Sequence, residues 1–216
     1  MVAKTDDIAI KPTLQAVVLA DSFTNAFKPL TEATPKVLLP IGHAPSLEYV
    51  LEWLAAQGVE ETYVFSSCHA EAIEGYLRRA GWLSSGAKDA AGSKDGSGGA
   101  AAMAVHTIAS TNCVSAGEAL RLVDHKHVIR NDFVLISGDV ITNVDLSAAL
   151  KTHRERRAKE KLAIMTVCMR RVGADVRELS YGDGNLTVAL DAETNRIVHY
   201  EEHGGGNANA PGVNLD

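Results

Sequence analysis

Apolar positions run almost without interruption through Leu14, Ala16, Val17, Val18, Leu19 and Ala20, then stop at Asp21. They resume at Val37 to Leu39 only after a long polar stretch carrying Lys28-Pro29-Leu30 and Pro35-Lys36. A short apolar run of this kind suits a strand buried on both faces of a parallel sheet. From Pro45-Ser46 the period changes. Leu47, Val50, Leu51 and Leu54 fall at i, i+3, i+4 and i+7, the stripe of an amphipathic helix, and Gly58 stands just past its end. Thr62 to Ser66 (TYVFS) is β-branched and aromatic and predicts a second strand. Ala70 to Arg79 predicts a second helix, with Ile73 and Leu77 on one face and Gly81 beyond it.

The rhythm breaks at 84–102, SSGAKDAAGSKDGSGGAAA, which has too few apolar residues to offset the entropy of ordering it and is expected to be a disordered surface insertion. Its GSGG follows no apolar strand and opens no helix, so it does not read as a phosphate loop. Met103 to Ala109 resumes as a strand. Ser115 and Glu118 then have the spacing of a capping box, and Ala116, Ala119, Leu120 and Val123 give the helix an inward face. Phe133 to Ile136 (FVLI) predicts another buried strand, ending at Ser137-Gly138-Asp139. A helix over Leu146 to Lys161 follows, with Leu146, Ala149 and Leu150 inward, and then a strand over Leu162 to Met169. Leu186 to Leu190 and Arg196 to Tyr200 predict an antiparallel hairpin.

Strand and helix alternating in this way predict an α/β, Rossmann-like, doubly wound and mostly parallel sheet with an added β-hairpin. The expected organisation is a mobile lead at 1–13, one domain at 14–202 carrying the insertion, and a disordered tail at 203–216. The hairpin has no evident closing element after it, so the chain reads as a fragment of something longer.

Composition changes little in this picture. A formal charge of -6 argues against a broad grip on nucleic acid. The one basic cluster, Lys151 to Lys161, alternates with glutamates like the solvated face of a helix. Cys68, Cys113 and Cys168 are far apart, without a CxxC, which suits a reduced, cytoplasmic protein. No apolar run approaches the length of about 20 residues that spans a bilayer. The scattered histidines suggest no metal site, and Trp53 and Trp82 read as packing residues.

Candidate chemistry gathers in the loops after two buried strands, Asp21 to Lys36 and Gly138-Asp139. In a doubly wound sheet both open onto one crevice at the carboxyl ends of the strands. Lys36 could neutralise a phosphate there as a point charge, and Asp139 could hold Mg²⁺ through its carboxylate. Gly138-Asp139 taken alone reads sooner as a plain turn.

The segments LQAVVLADSFTNAFKPLTEATPKVLLPI, SLEYVLEWLAAQGVEETYVFSS and FVLISGDVITNVDLSAAL together resemble the nucleoside-diphosphate-sugar pyrophosphorylase type of nucleotidyltransferase. That family opens with Gly-Gly-x-Gly-Thr-Arg-Leu-x-Pro-Leu-Thr, followed by Pro-Lys-Pro. This chain has Asp21, Ser22 and Thr24 where the family has glycines, and Ala26 where it has the catalytic arginine, while Pro29, Leu30, Thr31, Pro35, Lys36, Leu38 and Pro40 remain. Lost glycines deny phosphates a close approach to backbone, and a lost arginine removes charge stabilisation worth several kcal/mol in such reactions. The resemblance thus implies a vestigial nucleotide pocket at Ala20, Asp21, Ser22, Lys36 and Asp139, with no catalytic residue, no cofactor and no resident metal beyond the Mg²⁺ considered at Asp139.

The ADSF segment, with DFVLISGDVITNVDL, LKTHRERRAKEK and TNRIVHYEE, is similar to the epsilon-subunit family of eukaryotic translation initiation factor 2B. In that family a later helical-repeat domain carries guanine-nucleotide exchange on initiation factor 2. The implied role here is assembly and regulation through paralogous subunits, a gamma-like one foremost, with contact to initiation factor 2 through the full-length protein, no membrane and no direct nucleic acid. Two alternatives stay open: an active sugar-1-phosphate nucleotidyltransferase, in which Lys28 would replace the arginine, and a non-catalytic sensor of nucleotide or sugar phosphate.

Overall fold

A computed structural model describes residues 13–21, 27–83, 103–111, 113–169 and 185–203. The lead (apart from Thr13), the 84–102 insertion, the tail beyond His203, and Ser22, Thr24 and Ala26 lie outside the described residues. The chain divides into two compact units, Met1–Glu155 and Arg156–Asp216.

The first unit is built on a four-stranded sheet in the order β5-β4-β1-β6. Its strands are β1 (Gln15–Leu19), β4 (Glu61–Ser66), β5 (Ala104–Ala109) and β6 (Phe133–Ser137), and every pairing is parallel. β1 is central and in step with both neighbours: Gln15 faces Glu61 and Phe133, and Leu19 faces Phe65 and Ser137. The loops after these strands therefore emerge side by side.

Helices cover both faces of the sheet, because alternate residues of each strand point to opposite sides. On one face α2 (Ser46–Ala56) and α3 (Ala70–Arg79) bury Leu47, Leu51, Leu54, Ile73 and Leu77 against Ala16, Val18 and Val64. On the other, α4 (Ala116–His125) buries Ala119 and Val123 against Val17, Leu19, Tyr63 and Phe65. A leucine or isoleucine fully buried here adds about 1.5–3 kcal/mol. Gly58 and Gly81 follow α2 and α3 with φ of +80° and +81°, the left-handed backbone that closes helices.

Polar side chains lock the helices in place. The Glu48 carboxylate accepts the Tyr76 hydroxyl at 2.6 Å and the Trp82 indole N–H at 3.0 Å, tying α2 to α3 and the turn after it. The Trp53 indole donates to Val144 O at 3.1 Å. Both tryptophans thus pack with their one polar atom engaged.

A second network sits at the amino ends of the strands. The buried Gln15 amide donates to Glu61 at 2.7 Å and to Val128 O at 2.9 Å, and accepts from Arg130 N–H at 2.8 Å. The Tyr63 hydroxyl also donates to Glu61, at 2.7 Å, and its ring stacks on His106. Burial, together with the hydrogen bond to Glu61 and its negative charge, pushes the Tyr63 phenol up to about 12.

Several features differ from expectation. The long loop after β1 contains a helical turn, α1 (Leu30–Ala33), and the apolar run Val37 to Leu39 begins within a 3₁₀ turn, Lys36–Leu38. A small hairpin of β2 (Pro40–Ile41) and β3 (Ala44–Pro45) turns at Gly42. The capping box at α4 is displaced: Ser115 Oγ accepts Glu118 N–H at 3.3 Å, but the Glu118 carboxylate reaches back to Val114 N–H, at 3.0 Å, and Ala116 is exposed. β6 is not buried on both faces: among the described residues it is the edge of the sheet and the α4 cluster includes none of its residues, and Phe133 and Leu135 are exposed.

α5 (Leu146–Lys159) begins in the first unit with Leu146 buried and Ala149 and Leu150 half-buried. In the second unit, Leu162 to Met169 forms no strand. Its described backbone bonds are local, such as Ala163 N–H to Glu160 O and Ile164 N–H to Leu162 O, and Leu162 and Ile164 are 81% and 78% exposed. β propensity alone does not make a strand; a ladder partner does. β7 (Asn185–Leu190) and β8 (Ile197–His203) pair antiparallel as expected, around a turn in which Asp191 accepts the Thr194 N–H and hydroxyl. Among the described residues no helix is long and apolar enough to cross a membrane, and the three cysteines are free thiols.

Candidate functional site

The crevice lies where β1 and β6 end. Gly138 N–H donates to Leu19 O at 2.8 Å and Ala20 N–H to Phe65 O at 2.8 Å, so each neighbour of β1 is stitched to it at the last ladder position. Ala20 is buried as part of that stitching and presents no side chain to a ligand. The next residue along each chain segment, Asp21 and Asp139, is where chemistry begins.

Lys36 and Asp139 meet. The ammonium lies 2.6 Å from Asp139 Oδ2, with both side chains largely screened from water. The other oxygen, Oδ1, accepts the Ser137 hydroxyl. Burial pushes the Asp139 carboxyl up, but the bonds from Lys36 and Ser137 and the lysine charge outweigh it and hold the group below its ordinary value of 3.8. The Lys36 ammonium also lies over the Phe27 ring, 5.4 Å from its centroid.

Ser46, the first residue of α2, holds the two loops at this spacing. Its buried hydroxyl lies 3.1 Å from Val37 O and 3.2 Å from Gly138 O, sharing one proton between carbonyls that belong to opposite walls. Its N–H donates to Leu39 O. The sequence marks Ser46 only as a helix opener, and nothing in the spacing signals a bridge between residues so far apart. Phe27 and Ser137 likewise become parts of the site only in three dimensions.

Asp21 takes a different direction. Its carboxylate accepts two backbone N–H groups beyond β4, from Ser67 and, at 3.2 Å, from Cys68. Lys36 and Asp139 therefore form one cluster and Asp21 a second, while Ser22 lies outside the described residues.

A divalent cation fits the Lys36–Asp139 cluster poorly. Both carboxylate oxygens already have donors, one of them a cation, and among the described residues no group of three or more histidine, cysteine, aspartate or glutamate side chains is placed to share a metal.

The nucleotidyl transferase family pattern matches residues 15–174, most of the chain and all of the crevice. The chain belongs to that family. As a nucleotidyl transferase fold it has a counterpart in the crystal structure of HddC from Yersinia pseudotuberculosis, with a TM-score of 0.55 at 16% identity, covering 89% of this chain and 70% of that one. Among curated relatives, it is 39% identical over 191 residues to translation initiation factor eIF2B subunit epsilon of Schizosaccharomyces pombe, covering 88% of this chain. It is 38% identical over 136 residues to subunit gamma of the same factor in that yeast, covering 60%. The chain spans only about a quarter of either relative's length, 26% and 25%.

Proposed function

We propose that this nucleotidyl transferase domain is an assembly and regulatory part of the guanine-nucleotide exchange factor for translation initiation factor 2, silent as a transferase and acting in the cytoplasm. The observation that carries this is the 39% identity to the epsilon subunit along nearly the whole chain. The similarity to the gamma subunit supports a paralogous partner of the same fold, and through the full-length protein the complex would meet initiation factor 2.

The crevice supports silence. Lys36, the described cation best placed to meet a phosphate, is bound at 2.6 Å to Asp139, and Asp21 points its charge at backbone donors. Position 26 is alanine, where the family's arginine would stabilise charge on the transferring phosphoryl group. Any ligand that used Lys36 would have to break a short ion pair first.

Two experiments test this proposal. With Mg²⁺, a nucleoside triphosphate and sugar 1-phosphates, the chain should release no pyrophosphate above background; turnover with any pair overturns the silent reading. Mixed with the gamma-like subunit, the chain should co-elute as a heteromeric complex; separate elution overturns the assembly reading. A sensor without turnover would instead give a saturable calorimetric titration with GTP, ATP or a sugar phosphate.

A further inference from the structure

The bend between β4 and α3 aims consecutive amides at one side chain. Ser67 N–H donates to Asp21 Oδ2 and Cys68 N–H to Asp21 Oδ1, the second over 3.2 Å. The aspartate comes from the far side of the strand pair, 46 positions earlier in the sequence than Ser67. Successive backbone N–H groups converging on one point are the arrangement by which a chain cradles phosphate or carboxylate oxygens. Hydrogen bonds to an ionised acceptor are about twice as strong as neutral ones.

We propose that Asp21 is a built-in anion. Its carboxylate occupies a pair of donors that would otherwise take two oxygens of a phosphate, and so the chain closes its own crevice to free oxyanions. The same contact ties the loop after β1 to the loop after β4, just beyond the last ladder pair the two strands share, Leu19 and Phe65. This rests on the silent reading above and gives it a physical device.

The side chain is specific to the task. Asparagine has one acceptor oxygen and would turn its own amide hydrogens toward the second donor. Serine has one oxygen and no charge. Either substitution leaves at least one of the two N–H groups open, without altering the strands that position them.

The test is backbone amide hydrogen exchange on the 216-residue chain, wild type and the D21N and D21S variants, with and without inorganic phosphate. In the wild type, Ser67 and Cys68 amides should be protected and indifferent to phosphate. In the variants their protection should fall by about tenfold or more, the scale of one lost charge-assisted bond. Phosphate should then restore it in a saturable way.

Wild-type amides that exchange like an exposed bend overturn the proposal, as does a wild type that itself binds phosphate at these positions. A variant whose other amides keep wild-type protection, yet gains no phosphate dependence, also overturns it. Should both variants unfold, the wild type decides: protection indifferent to phosphate supports the proposal, and its absence overturns it. Co-elution with the gamma-like subunit, run on the same samples, reports on the assembly role separately, so failure of one leaves the other standing.

Discussion

Gly138 and Val37 leave no space between them: a Cβ added at Gly138 would come within 2.8 Å of Val37 Cγ1 and 3.3 Å of Leu19 O. Gly138 has an ordinary backbone conformation, so what demands glycine here is contact and not φ. Val37 is itself buried and held by the 3₁₀ turn that begins with Lys36. The Gly138→Ala variant should lose about 1–3 kcal/mol, the usual cost of an extra methyl in a packed site. Urea unfolding checks this. The double variant V37A/G138A should lose less than the sum of the single changes, because the truncated valine makes room.

Removing the Asp139 charge should cost about 1–2 kcal/mol at neutral pH, since a half-buried ammonium loses its partner. The pH dependence has a definite sign. Asp139 is held below its ordinary carboxylate value in the fold, so folding favours its ionised form. The stability this adds is complete above about pH 5 and is lost as pH falls through the depressed value. The gap between wild type and Asp139→Asn, measured by thermal unfolding, should therefore narrow in acid and close below both values.

Gln15→Leu should be more damaging than its apolar replacement suggests. The buried amide serves Glu61, Val128 O and Arg130 N–H, and leucine would leave the last two without their described partner. A loss of about 1–3 kcal/mol follows from losing three hydrogen bonds in a part-buried network. A lowered urea midpoint at unchanged slope is the expected result; an unaltered midpoint would contradict the network.

Glu48→Ala should loosen α3 from α2. Tyr76 and Trp82 both lose their acceptor. Because Trp82 is half-buried, its fluorescence should shift to the red as water replaces the carboxylate, while Trp53, bound to Val144 O, reports no change. A W53F background isolates the Trp82 signal.

Much of the fold was legible because its signals are local. Leu47, Val50, Leu51 and Leu54 announce α2, and Gly58 and Gly81 mark where helices stop, with left-handed backbones that few other residues adopt. That Lys36 and Asp139 would come near each other followed from topology, since parallel strands in register deliver their loops to one end of the sheet; that they would bind each other did not. What was not legible depends on neighbours. Leu162 to Met169 has the composition of a strand, but composition does not reveal whether a ladder partner exists. Phe133 and Leu135 look like core residues, yet among the described residues β6 is the edge of the sheet and both are exposed. Asp21 was recognisable as a foreign charge in a glycine position; that its carboxylate would accept the amides of Ser67 and Cys68 was not, because backbone donors carry no sequence signature.

The polar knot of Gln15, Glu61 and Tyr63 closes the sheet at the amino ends of β1 and β4, the length of a strand away from the crevice. The register of β1 and β4 is thus pinned at the end opposite Asp21, Lys36 and Asp139. Substitutions at one end leave the hydrogen bonds at the other in place, so the costs of altering the two ends should add.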